Sequence, residues 1–156
     1  MEEMSFFPRS ILLATDGSEE ARLATQAAID LSKATGSEVH VVYVLLSAGE
    51  LIGPHNYPAD RREALLEGAE RDARTFLDEQ AERIGSEGGK LAETHLRIGQ
   101  VDKEVVRISE ELGIGMIVMG SRGLGAVRRA LLGSVSDSVV RHAHCPVFVV
   151  RGDEER

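Results

Sequence analysis

Three glycines and a serine, Gly120, Gly123, Gly133 and Ser134, carry the clearest chemical pattern in this chain. They follow an apolar run, Gly115 to Met119, that predicts a buried strand. Ser134 with Asp137 three residues later predicts the start of a helix. A strand, a glycine-bearing loop and a helix N-terminus together make a seat for an anion, because exposed backbone N–H groups and the positive helix end suit a phosphate. The charges agree. The chain has a net charge of −8, yet no Asp or Glu lies between Glu111 and Asp137, and Arg122, Arg128 and Arg129 all fall there. A second reading stays open on pattern alone, since such glycines often serve only a tight turn. Neither a G-x-x-x-x-G-K-[ST] loop nor a G-x-G-x-x-G helix opening is present.

Two other groups could do chemistry. Asp16 ends the first predicted strand, and with Glu19 it reads equally well as a helix capping box. His142, His144 and Cys145 form an H-x-H-C run. Tetrahedral zinc draws further ligands, and there is no second cysteine, so no metal site is assigned there. His142 suits a helix C-terminus, and Cys145 a small core position.

The elements that must position these residues follow in order. Ser10–Ala14 predicts a central strand, and a helix runs from Thr15–Ser18 to about Ala34, with Ala24, Ala27, Ala28, Leu31 and Ala34 on one face. Val39–Leu46 is a second strand, and residues 47–59 a loop. Asp60–Ile84 is a long helix with Leu66, Ala69, Ala73, Phe76, Leu77 and Ile84 inward. Leu91–Ile98 is a third strand nearer an edge. Gly99 turns the chain into a helix over 100–112, whose stripe is Val101, Val105, Ile108 and Leu112. A last helix over 134–143 leads to the strand Val147–Val150. Strands alternating with helices predict an α/β fold: a doubly wound, Rossmann-like parallel sheet of five strands in the order 3-2-1-4-5, helices on both faces. Ligands in such sheets bind where the strand order reverses, here between strands 1 and 4.

The spacing Gly120-x2-Gly123-x9-Gly133-Ser134 resembles the G-2x-G-9x-G-(S/T) signature of ATP-binding universal stress proteins (UspA-like). Ile11–Ser18 and His144–Val150 resemble that family's first and last strands, so the likeness spans Arg9 to Arg151. Ala14 stands where many ATP-binding relatives carry proline. The resemblance implies that Ala14, Thr15 and Asp16 lie beside the nucleotide, with Asp16 on the ribose or a metal-bound water. It implies that the Val44 backbone meets the adenine. Gly99 reads first as a turn residue, with the edge of the pocket as its alternative role. Met119, Gly120 and Gly123 would face ribose and phosphates, while Gly133, Ser134, Val135 and Ser136 would hold the outer phosphates, Arg122 standing near. ATP with Mg²⁺ or Mn²⁺ is the implied cofactor pair, the phosphates supplying most metal ligands.

Residues 1–156 read as one domain, with a lead-in over 1–8 and a charged tail over 152–156. Net acidity argues against broad nucleic-acid or anionic-membrane binding, and no apolar run has the length of a membrane span. One cysteine and an acidic N-terminus fit the cytoplasm. A nucleotide-dependent regulatory role in the stress response, with a protein partner unidentified, is the expectation. The alternatives are a slow ATPase or nucleotide-handling enzyme of the same fold, for which the sequence offers no convincing base, and a ligand-free interaction module. The apolar last strand, as a sheet edge, implies a homodimer through residues 147–150.

Overall fold

The computed structural model describes residues 7–49, 57–121 and 133–152. In chain order the elements are β1 (Ser10–Ala14), α1 (Glu19–Thr35), β2 (Glu38–Leu45), α2 (Ala59–Ser86), β3 (Lys90–Ile98), α3 (Val101–Glu111), β4 (Met116–Gly120), α4 (Ser134–His142) and β5 (Val147–Val150). The five strands form one parallel sheet in the order β3-β2-β1-β4-β5, as the alternation of elements predicts.

Side chains alternate across the sheet, so each central strand feeds two cores. Ile11, Leu13, Val39, Val41 and Val118 pack with Ala24, Ala28 and Ile29 of α1 and with Leu77 and Ile84 of α2. Leu12, Val42, Ile117 and Met119 pack on the other face with Val105 and Ile108 of α3 and Val139 of α4. Ala24 and Ala28 are fully buried, and their single methyls let α1 lie close to the strands.

The buried stripe of α1 is Ala21, Ala24, Thr25, Ala28, Ile29 and Ser32, rotated from the expected face. Ala34 is exposed, and Ala27 and Leu31 only flank the core. Ser32 explains the rotation: its hydroxyl donates to Ser37 O at 2.7 Å and accepts from Lys90 N at 2.8 Å, holding a polar residue inward. Leu112 also departs from its expected stripe. It caps α3 and is 37% exposed.

At the outer edge, β3 carries a bulge. Val39 pairs with Leu91 but His40 pairs with Glu93, so Ala92 is skipped. The extra residue resets which face the rest of β3 presents. Leu91 and Leu96 therefore reach the same core although an odd number of positions separates them.

Candidate functional site: the crevice between β1 and β4

β1 and β4 pair as far as Ala14↔Met119, while β1 and β2 pair as far as Ala14↔Val42. Beyond these points the chains diverge. Tyr43–Leu45 overhangs the end of β1, with Thr15 N donating to Val42 O at 3.1 Å as the last tie. The gap holds a cavity of about 390 Å³. Ala14, Thr15 and Asp16 form one wall, and Val44 stands on the overhang. Met119, Gly120, Gly133, Ser134, Val135 and Ser136 close the other side.

These ten expected residues thus meet at one place. Gly99 does not join them. It sits at the end of β3 with φ +150°, its N–H donating to Leu45 O at 2.9 Å, and a Cβ there would press on Glu104 at 3.2 Å. Its role is the turn into α3. Arg122 and Gly123 lie outside the described residues, as do Arg128, Arg129 and residues 50–56 of the expected loop.

The β1 wall is built by a short relay of hydrogen bonds. Gly17 adopts φ +82°, which suits glycine, and Asp16 Oδ1 accepts from Ser18 N at 2.9 Å. Ser18, in extended conformation, then caps α1, its hydroxyl accepting from Ala21 N at 3.1 Å. The capping-box expectation for Asp16 is therefore corrected: Ser18 is the cap. Asp16 makes the turn before it and keeps its carboxylate in the cavity wall. Behind that turn the Tyr43 ring meets Phe76 edge-on at 5.6 Å. Burial, and secondarily the charge on Asp16, raises the Tyr43 phenol pKa above its ordinary value.

The opposite wall is the first turn of α4. Gly133, not Ser134, is the N-cap residue, with φ −66° and ψ 157° and no side chain to cap the helix. Ser134, Val135 and Ser136 are the first helical positions, where backbone N–H groups have no intrahelical acceptor. The positive end of α4 opens on the cavity. Gly120 serves packing as well as the cavity. A Cβ on it would fall 3.0 Å from the Glu20 carbonyl carbon and 3.2 Å from Ala21 N, so the backbone of α1 occupies that space.

One organising residue escaped the sequence reading. Ser121 is 2% exposed and joins three elements. Its N–H donates to Val150 O at 2.8 Å, and its carbonyl accepts from Gly133 N at 2.7 Å. The same carbonyl accepts from the Ser136 hydroxyl at 2.5 Å. A serine after a strand gives no periodic or motif signal for bonds to residues so distant in sequence. Val101 and Val105 of α3 also line the cavity, and Val42 and Leu46 add apolar surface. The i, i+4 spacing of the two valines revealed a buried face without revealing what it faced.

The H-x-H-C run is dispersed among separate partners. His142 Nδ1 lies 2.8 Å from Ser138 O in the last turn of α4. His144 Nε2 meets Glu110 at 3.1 Å. Cys145 flanks the second core, and burial raises its thiol pKa.

A doubly wound parallel sheet with a crevice where its strand order reverses defines a class of α/β proteins. Within that class the chain belongs to the universal stress protein family, whose model matches residues 8–151. A Staphylococcus haemolyticus protein of that family is 34% identical over 154 residues, covering 94% of this chain and 86% of its own. Universal stress protein MJ0531 of Methanocaldococcus jannaschii is 30% identical over 143 residues, covering 92% and 82%. Among solved structures, the protein MJ0577 superposes with a TM-score of 0.83 at 25% identity, over 94% of this chain and 98% of that one. A universal stress protein family protein of Arabidopsis thaliana, solved with AMP bound, has a TM-score of 0.64 at 18% identity, with 94% of each chain covered. At that identity the likeness speaks for the fold. Among the described residues no helix is long and apolar enough to cross a membrane.

Proposed function

We propose that this universal stress protein binds an adenine nucleotide, ATP with Mg²⁺ or Mn²⁺, in the β1–β4 crevice and acts as a nucleotide-dependent regulatory module. One observation carries the proposal. The end of β1, the end of β4 and the uncapped first turn of α4 converge on one cavity of about 390 Å³, with Gly120 on its β4 side and Gly133 and Ser134 on its α4 side. Apolar Val42, Val44, Val101 and Val105 suit the faces of a purine. The amides of Ser134–Ser136 suit a phosphate tail. Asp16 would accept from a ribose hydroxyl or hold a metal-bound water, one carboxylate oxygen already taken by Ser18 N. AMP in the Arabidopsis relative is in keeping with an adenine ligand.

Binding rather than turnover is the proposed activity. Asp16 is the one carboxylate lining the cavity among the described residues, and its hydrogen bond to the turn makes it a structural anion as much as a base. The chain would work in the cytoplasm as one domain and as a homodimer. Among the described residues β5 pairs only with β4, and Phe148 on it is 43% exposed, leaving an apolar edge for a second copy.

Isothermal titration of the purified chain with ATP and Mg²⁺ tests the proposal. Binding at micromolar concentration, lost when Gly123 and Gly133 are both replaced by valine in a folded variant, is expected. No heat from ATP, ADP or AMP would remove the proposal. Phosphate release over hours would move it to the ATPase.

A further inference from the structure

Away from the crevice, the bulge in β3 creates a second cluster. Skipping Ala92 puts Glu93 opposite His40, and His95 follows on the same face. His40 Nδ1 and His95 Nε2 lie 3.1 Å apart, with the two rings stacked at 5.3 Å and 22°. Glu93 Oε2 lies 3.9 Å from the same His95 nitrogen. One ligand atom from each residue falls within 4.8 Å of the others.

We infer that His40, Glu93 and His95 form a binding site for one divalent transition-metal ion, with Zn²⁺ the best match. Two imidazoles and one carboxylate are a zinc donor set. Nitrogens bound to one tetrahedral ion at ordinary Zn–N lengths stand roughly 3.3 Å apart, close to the observed spacing. The histidines are half-buried, the lower-entropy partners, while the Glu93 side chain is 66% exposed and free to swing inward by the small distance required. Three protein ligands leave a fourth position for water or an outside donor. The ion would clip the edge strand β3 to β2, near the start of β2 rather than at the overhang that walls the crevice. A plain His–His hydrogen bond would also account for the 3.1 Å contact, and the two differ in what metal does.

The test uses the metal-stripped full chain, Zn²⁺ titrated against a chromophoric chelator, and Co²⁺ as an optical surrogate. One ion per chain and a four-coordinate Co²⁺ spectrum are expected. His40→Gln and His95→Gln should each weaken binding by about 100-fold or more, at or above the top of the range for an outer-shell change, and the exposed Glu93→Gln by about tenfold. His144→Gln, at the separate pair with Glu110, should change nothing. Zn²⁺ should also shift the ring ¹⁵N resonances of His40 and His95 in the unmutated protein, which needs no variant to fold. Absence of stoichiometric binding, ring resonances unmoved at saturating Zn²⁺, or binding that survives both histidine changes would overturn the site.

Discussion

The Ser121 hydroxyl donates to the Glu20 carboxylate at 2.5 Å, joining the end of β4 to the first turn of α1 across a sequence separation of 101. Hydrogen bonds to a charged partner contribute about 1.5–3 kcal/mol in favourable settings. Ser121→Ala should therefore lower stability in urea unfolding by about 1–2 kcal/mol. ATP affinity should fall with it, since Gly133 is hung from the Ser121 carbonyl.

Gly120→Ala separates packing from ligand contact. The added methyl meets the backbone of Glu20 and Ala21, which cannot rotate away as a side chain would. A loss of about 1–3 kcal/mol is expected from overpacking. Denaturant titration without nucleotide checks it, and wild-type stability would show that α1 yields there.

Gly133→Ser should move stability and binding in opposite directions. The position already has the extended backbone of a helix cap but lacks a capping side chain. A serine hydroxyl would satisfy a first-turn amide and add a few tenths of a kcal/mol, roughly. That amide would then be lost to phosphate, so ATP affinity should drop. Paired thermal melts and calorimetric titrations read both signs.

Asp16→Asn keeps the size of the side chain and an oxygen able to accept from Ser18 N. Folding should change little, by about 0.5 kcal/mol or less. The Mg²⁺-dependent part of ATP affinity should shrink. Comparing titrations with Mg²⁺ and with EDTA isolates that part.

His95 gives the metal-free chain a pH dependence. Burial lowers its pKa from the ordinary 6.5, helped by His40 and Arg97 and opposed by Glu93. The folded pKa thus lies below the unfolded one. Above the unfolded value His95 is neutral in both states and costs nothing. As pH falls through it, the unfolded chain takes up the proton first, and stability declines until the folded residue protonates too. Urea midpoints measured from pH 7.5 to 5 should therefore fall less steeply in His95→Gln than in the parent, under about the same salt.

Much of this architecture was legible because burial writes itself as composition. Ser10–Ala14 and Met116–Gly120 are short apolar runs, and a strand buried on both faces has no other way to read. Their order of alternation with helices fixed where the crevice lies, and ten expected residues line it. Choices between chemically equivalent neighbours were not legible. Asp16 and Ser18 are both good caps, and only the positive φ of Gly17 decides between them. Ser134 looked like a cap until its own helical geometry passed that position back to Gly133. The stripe of α1 turned because Ser32 finds two backbone partners from other elements, which no local periodicity records. The bulge at Ala92 was hidden for the same reason: it exists in the pairing of two strands, not in either one.

β1 has a strand on each side and a helical layer over each face. Its amides can meet solvent deuterons only when the whole molecule opens, whereas β3 and β5 can fray from their outer margins. The floor of the crevice thereby belongs to the part of the protein expected to exchange slowest. An occupant arriving there would meet a floor that does not yield, with the surrounding helices as the parts left to adjust.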